Sequence, residues 1–344
     1  MAEALDHQSL AQRISQLLGD RVTELQPLRG GGNNCLYRVE IRSGAVYVAK
    51  HYASGSRRSA AALEREWRML NFLHEAGIDR VPRPIASELS YRLTLFSYIE
   101  GQSGETADLG EHDFQQAADF IRQLLSLGRK KPAQQLGLAS EACFDIDGLI
   151  TAIQQRRDFL RGLPGDIPDA DRLQNFLGAE FDPVFDRCCA GLKKSDSGYQ
   201  LSRVLSPSDF GFHNALKDVD GRWHFLDFEF SGWDGFEKMI ADFLLHPGMQ
   251  LAVEQQGRLL ALVAGHWPDC EASWRMMPTI YRLCALKWTL ILLNEFNPDR
   301  MRQRMLANPA GATPAQRRHE QLLKAGMAIE GLGQARLETL FGEQ

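Results

Sequence analysis

The fold of this chain is decided by two stretches, Ser206-Pro207-Ser208-Asp209-Phe210-Gly211-Phe212-His213-Asn214 and, later, Leu226-Asp227-Phe228-Glu229. Asn214 lies five residues after Asp209, and Asp227 lies eighteen residues after it. Between the two stretches, residues 215–219 and 223–228 alternate as strands do, and Asp220-Gly221 is a strong turn signal. The pattern therefore predicts a polar loop, a β-hairpin and a second polar loop.

The polar residues of these loops suit one kind of chemistry. A loop carboxylate such as that of Asp209 can accept a proton from a hydroxyl group. The amide oxygen of Asn214 and the carboxylate of Asp227 are hard ligands of the kind that Mg²⁺ prefers. Each of the three, taken singly, is more often a turn cap, because Asp and Asn side chains hydrogen-bond the backbone of turns. Their order and spacing together favour a site for a metal ion and a phosphate group.

Upstream, a glycine-rich segment lies between two predicted strands. Residues 22–28, 36–41 and 46–50 read as strands, and Gly30-Gly31-Gly32-Asn33 lies between the first two. Because glycine has no Cβ, backbone amides in such a tip can approach phosphate groups closely. A glycine-rich turn is usually only a turn, so this segment indicates a nucleotide site only together with the other residues.

Lys50, at the end of the third strand, is the candidate phosphate-binding cation. The two-residue period of a strand places it on the same face as Val48, which would give adenine an apolar wall beside a positive charge. A lysine at a strand end is more commonly solvated. Residues 60–75 predict a helix whose Glu64 or Glu66 could pair with Lys50, although most such charges lie on a solvated helix face.

Strand patterns dominate up to about residue 100, and helical patterns dominate after it. Helix-like sequence extends over about residues 113–192 and again over residues 276–296. The aromatic residues Trp274, Tyr281 and Trp288 have helical spacing and are predicted to lie in the core. The sequence therefore predicts an α+β fold with two lobes, residues 1–100 and residues 101–344.

Composition argues against several other classes of protein. The net charge of −5 provides no basic field for nucleic acid. Six cysteines without a C-x-x-C pair argue against a disulfide framework or a zinc site. The first twenty residues include acids and lack a long apolar run, which argues against a secretory signal. The apolar stretch of residues 283–293 contains Lys287 and is too short to cross a membrane. We expect a cytoplasmic protein with no membrane or nucleic-acid partner.

These motifs give the chain a resemblance to the aminoglycoside phosphotransferase and choline kinase superfamily, from about Leu25 to Phe296. Asp209 matches the family's catalytic aspartate, and Asn214 and Asp227 match its metal ligands. Asp242 matches a structural acid that follows them. The resemblance implies a two-lobed protein kinase-like fold, with a small antiparallel sheet and one helix in the N-terminal lobe and a large, mainly helical C-terminal lobe.

The same resemblance implies an ATP-dependent phosphotransferase with Mg²⁺ as cofactor. The acceptor would be a hydroxyl of a small molecule such as a sugar, an amino alcohol or an aminoglycoside-like compound. Lys50 matches the phosphate-binding lysine, Glu66 its helix partner, and residues 96–99 the linker whose backbone would bond adenine. A cationic acceptor is expected near the acids of the helical lobe. The implied nucleotide contacts are Gly30, Gly31, Gly32, Asn33, Val48, Lys50, Glu66, Ser97 and Ile99, and the acids are Asp234, Glu237 and Glu295.

The sequence departs from the family in two places. Pro207 and Ser208 stand where the family usually has His-Gly, and because that histidine supports the loop, the change bears on loop conformation. Glu229 replaces the glycine of the protein-kinase pattern, as is common in the small-molecule branch, and His213 is interpreted as a packed loop residue. The first departure motivates an alternative, a catalytically weak nucleotide-binding pseudokinase scaffold. Retention of the metal- and phosphate-contacting residues argues against that alternative.

Overall fold

The computed structural model describes residues 7–28, 34–52, 57–104, 108–192, 196, 198–267, 270–307, 312–332 and 334–342. The chain divides into two compact units. The first unit contains Met1–Gly104, Leu127–Ser140 and Pro207–Gly232, and the second contains Glu105–Ser126, Glu141–Ser206 and Trp233–Gln344. The division into lobes of residues 1–100 and 101–344 stays a prediction.

The first unit is built on a five-stranded antiparallel sheet with the strand order β1-β2-β3-β5-β4. The strands predicted over residues 22–28, 36–41 and 46–50 are confirmed to within a residue at each end. The strand β4 was missed, because Pro84, its first residue, was read as part of a loop with residues 81–83. The place of β4 at the sheet edge tolerates proline. The strands are β1 (Val22–Leu28), β2 (Cys35–Ile41), β3 (Val46–His51), β4 (Pro84–Glu88) and β5 (Leu93–Ser97).

Two helices of this unit pack against the sheet. Helix α1 (His7–Leu18) buries Leu10 and Ile14 in a core that also contains Ala49 of β3. Since side chains alternate along a strand, Lys50 points to the opposite face of the sheet from Ala49. Helix α2 (Arg57–Glu75) packs beside β4 and β5, so α2 and β3 are the elements that place Lys50 and Glu66.

The predicted hairpin that follows the catalytic-loop sequence is present but shorter than expected. Strands β7 (Ala215–Lys217) and β8 (Trp223–Phe225) pair antiparallel, and Gly221 in the turn has a φ of 78°, which suits glycine. The rings of Phe210 and Phe225 lie 4.9 Å apart, so the preceding loop packs on the hairpin. Phe225 N donates to Arg80 O at 2.9 Å and ties the hairpin to the sheet-bearing part of the unit.

The second unit is mainly helical. Strand β6 (Arg203–Ser206) pairs with β9 (Gly232–Gly235), and α7 begins directly after β9. The long helix α9 packs against α4, α7 and α11 at the centre of the unit. The helices are α3 (Glu111–Gly128), α4 (Ile146–Arg161), α5 (Ala170–Phe176), α6 (Asp182–Ala190), α7 (Phe236–Leu245), α8 (Val253–Ala264), α9 (Cys270–Leu292), α10 (Pro298–Ala307), α11 (Pro314–Glu330) and α12 (Gln334–Phe341).

Helix α9 is longer than the apolar stretch singled out in the sequence. With the helical turn that follows it, it forms a segment, Glu271–Phe296, that is long and apolar enough to cross a membrane by length and composition. Within that segment, 72% of the most apolar window is buried inside the protein, as in the core helix of a globular unit. The cytoplasmic location stays a prediction.

Candidate active site

Lys50 is at the centre of a buried cluster of acids in the first unit. Its Nζ donates to Glu66 Oε2 at 2.7 Å and to Asp227 Oδ1 at 2.7 Å, and lies 3.4 Å from Glu229 Oε2. The Lys50 side chain is only 6% exposed, so these carboxylates replace its lost hydration. One cation on β3 therefore joins helix α2 to the segment after β8.

The acids decide the charge state of Lys50. Burial by itself lowers the pKa of a lysine. Attraction to Asp227, and then to Glu66, outweighs burial and raises the pKa of Lys50 well above its usual value. Lys50 is thus held as a permanent cation in an interior position, which is the state that an anionic phosphate requires.

Glu66 is fixed by three partners on two segments. Its Oε2 accepts from Lys50 and from the Tyr52 hydroxyl, and its Oε1 accepts from Phe228 N at 3.1 Å. Burial, followed by repulsion from Glu66, raises the pKa of Tyr52 well above its usual value, which keeps its hydroxyl protonated and donating. The carboxylate of Glu66 is therefore saturated and serves to position Lys50.

Glu229 is the third acid of the cluster and is 5% exposed. Its Oε2 accepts from Asn34 Nδ2, and its backbone oxygen accepts from Arg65 Nη1 at 2.8 Å. Burial raises the pKa of Glu229 to about 7, with attraction to Lys50 opposing the shift and repulsion from Asp227 and Glu66 adding to it. Glu229 thus titrates near neutrality, unlike an ordinary glutamate.

The loop that carries Asp209 is held in a strained turn. Ser208 has a φ of 72°, in the left-handed region that non-glycine residues rarely adopt, and Asp209 N donates to Pro207 O at 3.0 Å. His213 Nε2 donates to Asp209 Oδ1 at 3.1 Å. The Pro207-Ser208 departure from the family pattern therefore coincides with this turn, and His213 supports the aspartate from within the same loop.

Asn214 and Asp227 present the oxygens that would suit a metal ion. Asn214 Nδ2 donates to Asp209 O at 3.0 Å, which orients the amide and leaves its oxygen as the ligating end. Asp227 has a φ of 60° and a side chain that is 35% exposed, the most accessible of the acids around Lys50. Oxygens of Glu66, Asp227 and Glu229 lie within 4.8 Å of one another, but those of Glu66 and Glu229 are buried against Lys50. The amide oxygen of Asn214 and the carboxylate of Asp227 are of the hard oxygen type that fits Mg²⁺.

The other residues predicted to contact the nucleotide lie on β3, at or just beyond the end of β5, or outside the described residues. Val48 is half-buried on β3 opposite Phe96 of β5. Ser97 ends β5; its N–H donates to Arg83 O at 2.9 Å and its hydroxyl accepts from Arg83 N at 2.9 Å. The Ser97 N–H is therefore already engaged, and Ile99 is half-buried just beyond the strand. Gly30, Gly31, Gly32 and Asn33 lie outside the described residues.

Sequence reasoning missed several contacts of this site. His213 was interpreted as a packed loop residue, and its position four after Asp209 was the only local signal of their hydrogen bond. Tyr52, Asn34 and Arg65 were not singled out at all. Asn34 and its partner Glu229 are separated by 195 positions along the chain, so no local pattern could have paired them.

Comparison with known proteins identifies a family. A sequence model of the phosphotransferase enzyme family matches residues 24–237, more than half of the chain. No curated protein sequence is similar enough to the chain to count as a match.

Several solved structures share the fold at low sequence identity. The choline kinase LicA from Streptococcus pneumoniae has a TM-score of 0.61 and 14% identity, covering 94% of this chain and 98% of its own. Spectinomycin phosphotransferase APH(9)-Ia, solved with ADP and spectinomycin, has a TM-score of 0.63 and 14% identity, covering 95% and 99%. The gentamicin complex of APH(2″)-IIa has a TM-score of 0.62 and 15% identity, covering 97% and 99%.

These likenesses confirm the fold predicted from the sequence. The fold is α+β and protein kinase-like, with a five-stranded antiparallel sheet and a mainly helical remainder. The family match includes most of β1 and also Lys50, Glu66, the Asp209 loop and Asp227. The chain therefore belongs to the phosphotransferase enzyme family.

Proposed function

We propose that this protein is an ATP-dependent phosphotransferase that moves the γ-phosphoryl group to a hydroxyl of a small molecule. The observation that carries the proposal is the Lys50 Nζ bonded at 2.7 Å to both Glu66 and Asp227. A buried, permanently charged lysine beside an accessible carboxylate suits a phosphate chain with its metal ion. The ADP bound to spectinomycin phosphotransferase supports the choice of nucleotide.

Asp209 would act as the base. The acceptor oxygen bonds to the γ-phosphorus, the bond from that phosphorus to the oxygen bridging the β-phosphate breaks, and the hydroxyl proton passes to the Asp209 carboxylate. His213, donating to Oδ1 at 3.1 Å, holds that carboxylate in one orientation. Positioning of this kind is the main contribution that phosphoryl transfer asks of a protein.

Lys50 would bind the phosphates, and Glu66 would keep its ammonium in place. Mg²⁺, when bound, would supply charge neutralisation on the phosphate oxygens, and Asn214 and Asp227 are the residues that would hold it. The exposed fraction of Asp227 supports that role, because the other two acids around Lys50 are nearly inaccessible.

The test is an assay of ADP release and of phosphorylated product with Mg-ATP and a panel of hydroxylated metabolites. Asp209→Asn should lower turnover by about 100- to 10,000-fold, the usual contribution of a general base. Asp218→Asn is the matched control, because Asp218 lies on the hairpin loop of the same unit and bonds only its own turn and His224 in the described contacts.

Equal turnover by the two aspartate variants would show that Asp209 is not the base. Mg-dependent ATP binding with no phosphorylated product across the panel would instead favour the nucleotide-binding scaffold.

A further inference from the structure

A small cavity lies beside helix α2 in the first unit. Its volume is about 190 Å³, below the roughly 300–1,000 Å³ of pockets that hold drug-sized ligands, so it suits a smaller molecule. Three stretches of the chain line it, namely α2, residues 136–138 and residues 231–232. All three belong to the first unit, so the cavity is a feature of one compact body.

The wall formed by residues 136–138 is held against the start of β9. Ser140 N donates to Phe230 O at 3.0 Å and joins the two stretches of backbone. A Cβ built on Gly232 would lie 2.4 Å from the carbonyl carbon of Leu138, so only glycine allows the backbones to approach so closely. These contacts give the cavity a fixed wall.

Ser231 offers the cavity a buried hydroxyl group. The residue is 2% exposed and lines the cavity, and its Oγ has no hydrogen-bond partner among the residues that the structure describes. A buried hydroxyl without a partner is unfavourable, and such groups are uncommon in native proteins. The hydroxyl therefore points to a ligand with an acceptor atom.

Arg65 brings a half-buried guanidinium group to the same cavity. Its one hydrogen bond to the described residues runs from Nη1 to Glu229 O at 2.8 Å, and a guanidinium has five N–H donors. Burial lowers the pKa of Arg65 below its ordinary value, and attraction to Glu229 opposes the shift. A guanidinium that has lost part of its hydration favours an anion beside it.

Arg68 adds a second guanidinium, and Glu64 adds the one carboxylate among the described lining residues. Arg68 Nη2 lies 3.3 Å from Glu64 Oε2, and the two side chains are 63% and 44% exposed. An ion pair with this exposure contributes little to stability, so Arg68 can exchange Glu64 for another anion. Two guanidiniums and one carboxylate leave the lining with a formal charge of +1.

The rest of the lining is largely apolar. Met69 is buried, Leu136 is half-buried and Leu138 is 54% exposed. A bare inorganic anion gains nothing from these side chains, whereas a short hydrocarbon tail removes their surface and its own from water. The head group that best matches a planar guanidinium is a carboxylate, which accepts two parallel hydrogen bonds from it.

We propose that this cavity binds a small carboxylate with a short apolar tail. The carboxylate would accept hydrogen bonds from Arg65, Arg68 and the Ser231 hydroxyl, and the tail would lie against the wall of residues 136–138. Lys50 is not among the described lining residues. The site is thus additional to the one that carries the proposed function, and the inference does not depend on that function.

The experiment measures binding to the full chain by saturation-transfer NMR, in buffer free of nucleotide, divalent metal and other carboxylates or phosphate. The probe is 3-methylbutanoate. Its uncharged isostere is 3-methylbutanamide, and acetate keeps the charge but lacks the tail. The probe should bind at least about tenfold more tightly than the amide and at least about fivefold more tightly than acetate. Equal binding of the probe and either comparison ligand, or no saturable binding of the probe, overturns the proposal.

Two pairs of charge-matched variants locate the site. Arg68→Met should weaken binding of 3-methylbutanoate by at least about fivefold. Arg42→Met should not change it, because Arg42 is 77% exposed, pairs with Asp20 at 3.5 Å and does not line the cavity. Glu64→Gln should tighten binding by about two- to threefold because it removes the competing carboxylate, whereas Glu75→Gln, at the end of the same helix, should not. Equal effects within either pair would place the site elsewhere and refute the proposal.

Ser231→Ala separates a contact with the ligand from a role in the fold. Because it removes a buried hydroxyl without a partner, the melting temperature should stay the same or rise, while binding of 3-methylbutanoate weakens by about three- to tenfold. A lower melting temperature would show that the hydroxyl serves the fold, and an unchanged affinity would show that it does not meet the ligand. Either result counts against the proposal, and neither bears on phosphoryl transfer, which is tested at Asp209.

Discussion

Replacing Glu229 by glutamine should stabilise the protein, although it removes a charge from the candidate active site. The pKa of Glu229 is raised from 4.5 to about 7 in the folded chain, so its ionisation costs the folded state about 3 kcal/mol at pH 8. A carboxyl group whose pKa is higher in the folded than in the unfolded chain stabilises the folded chain when it is protonated. That stabilisation is lost as the pH rises through about 7. At pH 5 the remaining cost is about 1 kcal/mol.

Urea denaturation in metal-free buffer at pH 5 and pH 8 gives the free energies of unfolding. Glu229→Gln should exceed the wild type by about 3 kcal/mol at pH 8 and by about 1 kcal/mol at pH 5. Glu64→Gln is the control: Glu64 is 44% exposed and its pair with Arg68 is a surface contact, so its effect should stay within about 0.5 kcal/mol. An increase in the free energy of unfolding of Glu229→Gln that is the same at pH 5 and pH 8, or a decrease, would refute the reasoning.

Three further outcomes are expected. Lys50→Met should lower the free energy of unfolding by about 3–5 kcal/mol because it leaves buried acids without their cation, whereas Arg68→Met should change it by less than about 1 kcal/mol in the same urea titration. Gly232→Ala should lower the melting temperature, because a Cβ there would lie 2.4 Å from neighbouring backbone atoms. Gly137→Ala should leave the melting temperature unchanged, because its Cβ would have nothing within 4 Å. Similar melting temperatures for the two variants would contradict this prediction. Asp227→Asn should abolish the Mg²⁺ dependence of ATP affinity in calorimetry, and an unchanged dependence would rule Asp227 out as a ligand.

Much of the first unit could be predicted because its signals are local. The two-residue period gave β1, β2 and β3, and the same period placed Lys50 on the face opposite Ala49. The helical period gave α2 and with it a glutamate within reach of Lys50. Strand β4 was missed because its pairing is set by tertiary contact with β5, which outweighs the loop signal of Pro84.

The rest of the site depends on distances that a sequence does not carry. The choice of Glu66 over Glu64 rested on a family resemblance, and only the folded chain shows Glu66 bonded to Lys50 while Glu64 reaches Arg68. Likewise, Tyr281 and Trp288 have the spacing of core residues, and Tyr281 is buried, yet both line a cavity between α7, α9 and α11. Helical periodicity identifies an inward face but does not tell whether that face meets a neighbour or a void.

The acid cluster around Lys50 has a consequence for how a nucleotide would arrive. Three carboxylates and one ammonium give a formal charge of −2 when all are ionised. A bare polyphosphate is itself an anion and would be repelled by that surplus at close range. A divalent counter-ion that travels with the polyphosphate would reduce this repulsion, so the cluster would favour the metal complex over the free nucleotide.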